Sequence, residues 1–332
     1  MKKLMKYVLV LCVVSMSSSF ASAAAPFFLG DLYPDNNSMT DPNNWFKLVG
    51  PDWLPFGSVP GLFDEPAAII HHTVPVTAEL CGDTHDFGTL NLGQWGIDGS
   101  IKVCDSGVLN AVVMNVHWSD GQTNNSLLTV DNGTVNVETM FVGVPFYAGS
   151  GEGRVELKSG AINAVTIKCN VWDTEEGWID VYGGTLTVSG SLDLDGGGTV
   201  TIYGGVVEIL GVDGLSVGGA FTPGIPVIDL RGGTLILEGD QINAGVSTAY
   251  PKFTDWTGVN IMQGFGDAAN LIADYNVTNP GKTTITTIPG LYSCETPPAG
   301  DVNGDCVTDL VDVAELASGW LQCARMPITE CP

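Results

Sequence analysis

The segment Ile179-Asp-Val-Tyr-Gly-Gly-Thr-Leu-Thr-Val188 contains two short alternating stretches joined by a pair of glycines. Apolar residues at every second position lie on one face of a strand, so each arm predicts a strand with a buried face. Similar units occur six times, and their anchoring glycines lie 26, 27, 24, 21 and 28 residues apart. These glycines are Gly107, Gly133, Gly160, Gly184, Gly205 and Gly233.

A weaker apolar-x-apolar motif lies between the glycine turns, at Leu90–Leu92, Met140–Val142, Leu192–Leu194 and Leu215–Val217. Each repeat therefore contains about three short strands, enough for one coil of a β-solenoid. Stacked coils bury the inner face that a single coil leaves exposed. We expect an all-β fold, a right-handed parallel β-helix of about seven coils that occupies residues 86–290 together with its C-terminal cap strands.

A sandwich of β-hairpins would also place glycine at its turns, but it does not require six similar units at near-constant spacing. The repeated pattern resembles that of secreted bacterial β-helix proteins, including the autotransporter-associated strand repeats, over residues 86–250. The resemblance implies a parallel β-helix, and it says almost nothing about activity.

The first 23 residues have the features of a secretory signal peptide. Three lysines among the first six residues precede an apolar run at 7–14 and an Ala-Ser-Ala sequence at 21–23, which is the order of regions in such a signal. The run is too short to cross a membrane, and no later segment has the roughly 18 consecutive apolar residues that a span needs. We expect residues 1–23 to be removed and the protein to be extracellular or at the cell surface.

The chain is strongly acidic, with 12 Lys and Arg against 37 Asp and Glu and a net charge of −25. Such a surface repels nucleic acid and anionic lipid, so we expect neither as a partner. It suits a calcium-containing medium, because carboxylates bind oxygen-seeking cations. The simpler explanation is that the charge keeps an extracellular protein in solution.

Residues 24–85 precede the repeats and are rich in Pro, Asn, Asp and aromatic residues. A solenoid exposes strand edges at its ends, where other chains can pair with it. We expect this segment to form an N-terminal cap, with Trp45 and Trp53 covering the apolar core. The alternative is that these two rings stack on carbohydrate.

The segment Asp301-Val-Asn-Gly-Asp-Cys-Val-Thr-Asp-Leu-Val-Asp312 has the spacing of an EF-hand calcium loop. Such a loop supplies oxygen ligands from positions 1, 3, 5, 7, 9 and 12, with a backbone carbonyl at position 7. Apolar residues at spacings of three and four follow over 313–321, which predicts a helix. The alternative is an acidic surface turn without a metal. The expected Ca²⁺ ligands are Asp301, Asn303, Asp305, the carbonyl of Val307, Asp309 and Asp312.

This loop and helix resemble one half of a type I dockerin over residues 300–323, within a module at 291–332. The resemblance implies Ca²⁺ binding and a cohesin-like partner; a cell-envelope protein is the other docking partner considered. Cys306 stands where the family has glycine, and Thr308 stands where it has an aliphatic residue. One loop–helix unit is present where dockerins usually have two, and these departures lower the calcium affinity and cohesin recognition that we expect.

Four cysteines lie in the C-terminal tail, and cysteine-dense modules of exported proteins are usually disulfide-bonded. Four cysteines allow three pairings. A helix of about ten residues is roughly 15 Å long, which separates Cys306 from Cys323. The resulting hypothesis pairs Cys294 with Cys306 and Cys323 with Cys331.

Three further cysteines, Cys81, Cys104 and Cys169, lie in or before the repeats. Because their number is odd, we expect at least one free thiol among them. A buried cysteine behaves as a small hydrophobic residue, and this is the role expected for Cys104 and Cys169.

The leading functional hypothesis is a non-catalytic surface or matrix protein, in which the solenoid is a spacer and the tail attaches it. The alternatives are an extracellular polysaccharide lyase or glycoside hydrolase, and a glycan-binding protein without turnover. A hydrolase would need a pair of carboxylates on one face. Acidic residues expected on the outer faces of strands are Glu156, Asp180, Asp193, Asp195, Glu208 and Asp229. No triad, nucleotide loop or zinc motif is recognisable.

Overall fold

The computed structural model describes residues 26–28, 38–49, 52–55, 59–60, 66–70, 77–93, 97–117, 124–143, 151–169, 176–211, 214–217, 226–242, 261–289 and Val313. These residues form a parallel β-solenoid, which confirms the fold class predicted from the repeats. Within these residues, two short 3-10 helices occur at Pro42–Asn44 and Ala268–Asn270. Among the described residues, no helix has the length and apolarity that crossing a membrane requires.

Twenty-two strands make up the described part of the fold. In chain order they are β1 (Pro26–Phe28), β2 (Trp45–Val49), β3 (Asp52–Pro55), β4 (Ala67–Ile69), β5 (Ala78–Cys81), β6 (Thr84–Leu92), β7 (Gly99–Cys104), β8 (Val108–Val116), β9 (Asn124–Asp131), β10 (Gly133–Val142), β11 (Gly151–Leu157), β12 (Gly160–Cys169), β13 (Glu176–Val181), β14 (Thr185–Leu194), β15 (Thr199–Ile202), β16 (Val206–Ile209), β17 (Leu215–Val217), β18 (Val227–Leu230), β19 (Thr234–Glu238), β20 (Met262–Gly264), β21 (Leu271–Tyr275) and β22 (Lys282–Thr287).

The strands form two sheets. Sheet A follows the order β21-β22-β19-β16-β14-β12-β10-β8-β6-β4-β1-β2-β3, with β17 paired to β14, and sheet B follows the order β20-β18-β15-β13-β11-β9-β7-β5. Each coil passes once through sheet B and then through sheet A. About five turns are regular, from β7–β8 to β15–β16, and the pairs β5–β6 and β18–β19 add one turn at each end.

Pairing between successive coils is parallel, from β4 to β19 in sheet A and throughout the described part of sheet B. Hairpins would pair antiparallel, so the sandwich alternative is wrong. Antiparallel pairs occur only at the two ends of described sheet A, among β1, β2 and β3 and among β19, β22 and β21.

The alternation of buried and more exposed residues is interrupted near the middle of the long strands of sheet A. In β12 the interruption falls at the exposed Val165, and the register with β14 shifts between Ala164 and Thr166. The weaker apolar-x-apolar motif forms the second arm of the long strands, for example Met140–Val142 in β10, and forms a separate strand, β17, at Leu215–Val217. The two sequence motifs therefore correspond to one strand of sheet B and two arms of sheet A in each coil.

The core is a set of columns in which equivalent apolar residues of successive coils lie in register. One such column runs through sheet B, and all of its members are buried. It consists of Val130, Leu157, Val181, Ile202 and Leu230. Alternation by two along each strand sends the intervening side chains outward, which explains the sequence pattern.

Glycine is required where adjacent coils turn between the sheets. Gly160 has φ +88°, and a Cβ added there would lie 2.1 Å from the carbonyl oxygen of Gly133 in the preceding coil. Gly184 is similar, with φ +72° and the Gly160 oxygen at 2.4 Å. At these turns glycine supplies both the positive φ and the space for close stacking.

Polar side chains form a ladder on the outside of sheet A. Asn163 Nδ2 donates to Asn136 Oδ1 at 2.9 Å, Asn136 to Asn110 at 2.8 Å, and Asn110 to Asp86 at 2.6 Å. Each hydrogen bond joins one coil to the preceding one, so the ladder adds side-chain bonds to the backbone bonds between coils.

Trp45 closes the N-terminal end of the core. Its side chain is buried, its ring lies 5.5 Å from Phe28 and 5.9 Å from Phe87, and its Nε1 donates to the Met39 carbonyl at 2.8 Å. A sugar cannot reach this ring, so the carbohydrate-stacking alternative is wrong for Trp45. The side chain of Trp53 lies outside the described residues.

The cysteines of the repeats divide into a bonded pair and a free thiol. Cys81 and Cys104 are register partners in β5 and β7 and form a disulfide, so the expectation that Cys104 is merely a small hydrophobic residue was wrong. Cys169 is free and buried, as expected. Burial raises the pKa of its thiol from an ordinary value of 9.0 to about 12.

Substituting Gly160 by Ala should destabilise the fold more than substituting Gly281 by Ala. Both have positive φ, but an added Cβ at Gly281 has nothing within 4 Å. Each change carries a backbone penalty of about 1–2 kcal/mol, and Gly160→Ala adds overpacking of about 1–3 kcal/mol. Chemical denaturation of the two variants measures the difference, and equal losses would contradict the close-packing argument.

Cys169 should resist alkylation by iodoacetamide at pH 8 in the folded protein and react in guanidinium, because only the thiolate is nucleophilic. Since its folded pKa lies above the unfolded value, the unfolded chain loses the proton first. The free energy of unfolding should therefore fall as the pH rises above about 9, and Cys169→Ala should reduce this fall. Labelling of Cys169 in the folded protein, read by mass spectrometry, would contradict the buried position.

Candidate functional site

A groove of about 440 Å³ lies on the outer face of sheet B. It crosses β11, β13, β15 and β18 and ends at β20. Its lining includes Arg154, Trp178, Asp180, Thr201, Tyr203 and Asp229. We refer to this feature as the groove.

The parallel register brings the polar lining together. Asp180, Thr201 and Asp229 occupy equivalent positions in three successive strands. At a strand spacing of about 4.8 Å, the two aspartates are about 10 Å apart between their Cα atoms, with Thr201 between them. Both aspartates were expected on the outer face from the sequence, and both line the groove. Despite that orientation, they are only 2% and 4% exposed.

The buried carboxylate of Asp180 forms an ion pair with Arg154, whose side chain is 43% exposed. Its Oδ2 accepts from Arg154 Nε at 2.9 Å and lies 2.6 Å from Nη2. Burial disfavours the charged guanidinium, but the charge and hydrogen bond of Asp180 outweigh it, so the pKa of Arg154 is raised. The pair fixes the guanidinium at the N-terminal end of the groove.

Asp229 forms the equivalent pair at the other end. Arg231 Nε donates to Asp229 Oδ2 at 2.8 Å, and the Gly266 amide donates to Oδ1 at 3.3 Å. Each buried carboxylate of the groove therefore has its own arginine. Such pairing offsets the cost of burying the charge.

Two aromatic residues, Trp178 and Tyr203, line the groove. Tyr182 and Tyr203 stack with centroids 4.8 Å apart and planes 5° from parallel, and the guanidinium of Arg231 lies over Tyr203 at 5.6 Å. Burial and the nearby charge of Asp180 raise the pKa of Tyr182, so it stays protonated at neutral pH. Trp178 lines the groove and donates through Nε1 to Glu176 at 3.2 Å.

The other acidic candidates lie elsewhere. Glu156 is on sheet B next to the groove, where it pairs with Arg154 and Lys158 at 3.6 and 3.3 Å. Glu208 and Asp193 are on strands of sheet A, and burial raises the pKa of Asp193. Asp195 follows β14 directly. The sequence could not show that only two of the six candidates line a common cavity.

All six predicted calcium ligands, in 301–312, lie outside the described residues, as do the signal segment and the tail cysteines. Of the predicted 313–321 helix only Val313 is described, in helical conformation and exposed. The calcium site therefore stays a prediction.

The chemistry of the groove favours binding over acid–base catalysis. A glycosidase needs one protonated carboxyl group as the general acid, whereas Asp180 and Asp229 are both ion-paired with arginine. The groove combines these two pairs with threonine hydroxyls and aromatic rings, a mixture of donors, acceptors and apolar surface.

Comparison with protein-family models, curated proteins and solved structures gave no match. The protein is therefore classified by its fold, as a parallel β-solenoid with a polar and aromatic groove.

Trp178, Thr201 and Tyr203 line the groove but were not predicted as site residues. The sequence does contain a pattern that predicts the column of Tyr182, Tyr203 and Arg231. Each of these residues directly precedes a Gly-Gly pair in successive repeats. Equivalent positions of a parallel solenoid lie side by side, so aligning the repeats predicts this column.

Replacing Arg154 with Ala should destabilise the protein by about 1–3 kcal/mol, because the buried carboxylate of Asp180 loses its hydrogen-bonded partner. The double variant Arg154→Ala/Asp180→Asn should recover part of that loss. Lys158→Ala is the matched control, since Lys158 is 51% exposed and surface pairs contribute about 0–1 kcal/mol. Urea denaturation of the complete cycle measures the coupling, and additive losses would contradict it.

Proposed function

We propose that the protein is an extracellular, non-catalytic structural or adhesion protein. In this proposal the solenoid is a spacer, and the tail docks it, through a calcium-binding dockerin-like module, to a cohesin-like or cell-envelope partner. The observation that carries the proposal is the unbroken series of stacked coils, each joined to the next along both sheets.

Such an arrangement suits a spacer because its length is fixed by the number of coils. Seven coils at about 4.8 Å give a rod of roughly 35 Å. The continuous core and the asparagine ladder resist bending between coils, since each coil is held on several sides by its neighbours. A net charge of −25 supports solubility outside the cell and disfavours association with nucleic acid.

The alternative of a polysaccharide-degrading enzyme is favoured by one observation, namely that Asp180 and Asp229 flank Thr201 in register. Inverting glycosidases separate their two carboxyl groups by roughly 6.5–9.5 Å. Against it, each aspartate is hydrogen-bonded to an arginine, an arrangement in which both carboxylates serve as partners of structural ion pairs.

The docking proposal predicts calcium-dependent capture of one partner by the full-length protein. Immobilised protein should retain one envelope or secreted protein from extracts of its own cell in millimolar calcium. It should release that protein in EGTA. Asp301→Ala removes the position-1 ligand and should abolish both this capture and the calcium heat in titration calorimetry. Asp64→Ala, which lies outside the loop, should leave both unchanged.

Unchanged capture by Asp301→Ala, or capture insensitive to EGTA, would overturn the docking role.

For the non-catalytic role, the protein should release no reducing ends and no unsaturated products from pectin, alginate or neutral glycans. Turnover that disappears in both Asp180→Asn and Asp229→Asn would instead establish the enzyme.

A further inference from the structure

The groove holds hydrogen-bonding groups that the fold does not use. Asp180 is 3% exposed in its side chain, and only its Oδ2 is engaged, by Arg154. Within the described part of the chain, Asp180 Oδ1 accepts no hydrogen bond, and Arg154 Nη1 donates none. Asp180 lines the cavity, so this oxygen is available to accept a hydrogen bond from a ligand there.

Neighbouring residues add further hydrogen-bond donors and acceptors to the groove. Thr201 is 6% exposed and offers a hydroxyl, and Gln263 offers an amide, and neither side chain bonds to another described residue. Together with Asp180 and Arg154, they present donors and acceptors to one cavity. A sugar hydroxyl both donates and accepts, so a polyhydroxylated ligand satisfies this mixture, whereas a simple anion or cation satisfies only half of it.

The groove also offers flat apolar surface. Trp178 and Tyr203 line it, and Tyr203 also stacks on Tyr182 and has the guanidinium of Arg231 over its ring. Because Tyr203 is already engaged by these two side chains, Trp178 is the ring that we expect to pack on a ligand. Aromatic side chains contribute large contact areas with well-defined geometry, and binding cavities combine such surfaces with a few placed polar groups.

The charge of the groove and of the whole chain favours neutral glycans over anionic ones. Three acidic residues line the groove, Glu152, Asp180 and Asp229, against two basic ones, Arg154 and Arg231. The groove is thus close to neutral within a chain of net charge −25, and a polyanionic glycan would approach against the field of the whole protein. A bare cation is also disfavoured, because an arginine already neutralises each buried aspartate.

We propose that the groove is a binding site for a neutral glycan chain that lies along the solenoid axis. Lining residues run from β11 to β20 across successive coils, a distance of roughly 19 Å at about 4.8 Å per strand. Trp178 packs on a sugar ring, and Asp180, Arg154 and Thr201 bond to its hydroxyls. This goes beyond the spacer role and does not depend on the calcium tail.

Native gel electrophoresis of the full-length protein tests the proposal, with hydroxyethylcellulose, galactomannan or laminarin in the gel as neutral probes. At least one should retard the protein, while polygalacturonate and alginate should not. Trp178→Ala should weaken binding about tenfold or more, as loss of an aromatic anchor does. Thr199→Trp, which fills the groove and keeps both ion pairs, should do the same.

Phe141→Ala is the matched control, since Phe141 lies on sheet A and contacts Lys168 rather than the groove. It should bind as the parent does, and melting temperatures close to the parent's should show that all three variants fold. No retardation by any neutral probe, retardation only by polyanions, or binding unchanged in both groove variants would overturn the proposal. Glycan cleavage lost in Asp180→Asn would support the site and overturn only the non-catalytic function.

Discussion

The in-register parallel hydrogen bonding between successive coils is the constraint on which the rest of the structure depends. It places Val155 beside Ile179 and Val200 on the inner face of sheet B. The same register places Asp180 beside Thr201 and Asp229 on the outer face. Hydrophobic columns inside and polar columns outside are therefore two results of one register. A change of register by one residue would exchange the two faces of a strand.

Close stacking explains where glycine appears and why the repeat length varies. The turn at Gly160 leaves no room for a Cβ next to Gly133, so this position is fixed by contact between coils. The connections from sheet A to the next strand of sheet B differ in length, and these differences contribute to the varying spacing between repeats.

The solenoid could be predicted because its signal is local and recurs. Apolar alternation and a glycine turn identify each strand without knowledge of its neighbours, and the repeat supplies the neighbours. The disulfide between Cys81 and Cys104 was not predicted, because pairing depends on which two strands are adjacent and Cys81 precedes the first clear repeat. The ion pair of Arg154 with Asp180 was not predicted for a similar reason, because it joins residues 26 positions apart in neighbouring coils. Of the groove, the aspartates could be placed on the outer face, but the cavity depends on small threonines between larger residues of adjacent coils.

The asparagine ladder of sheet A has a direction. Each amide donates to the coil before it, from Asn163 through Asn136 and Asn110 to Asp86, and Asn115 donates to Asn91 in the same sense. The amide dipoles therefore point the same way along the solenoid axis, and aligned hydrogen bonds polarise one another. The positive end of the row meets the carboxylate of Asp86, as the positive end of a helix meets an acidic residue. The row of aligned amides on the outside of sheet A therefore has a net dipole. Its two ends have different electrostatic potentials, which a charged molecule near them would experience.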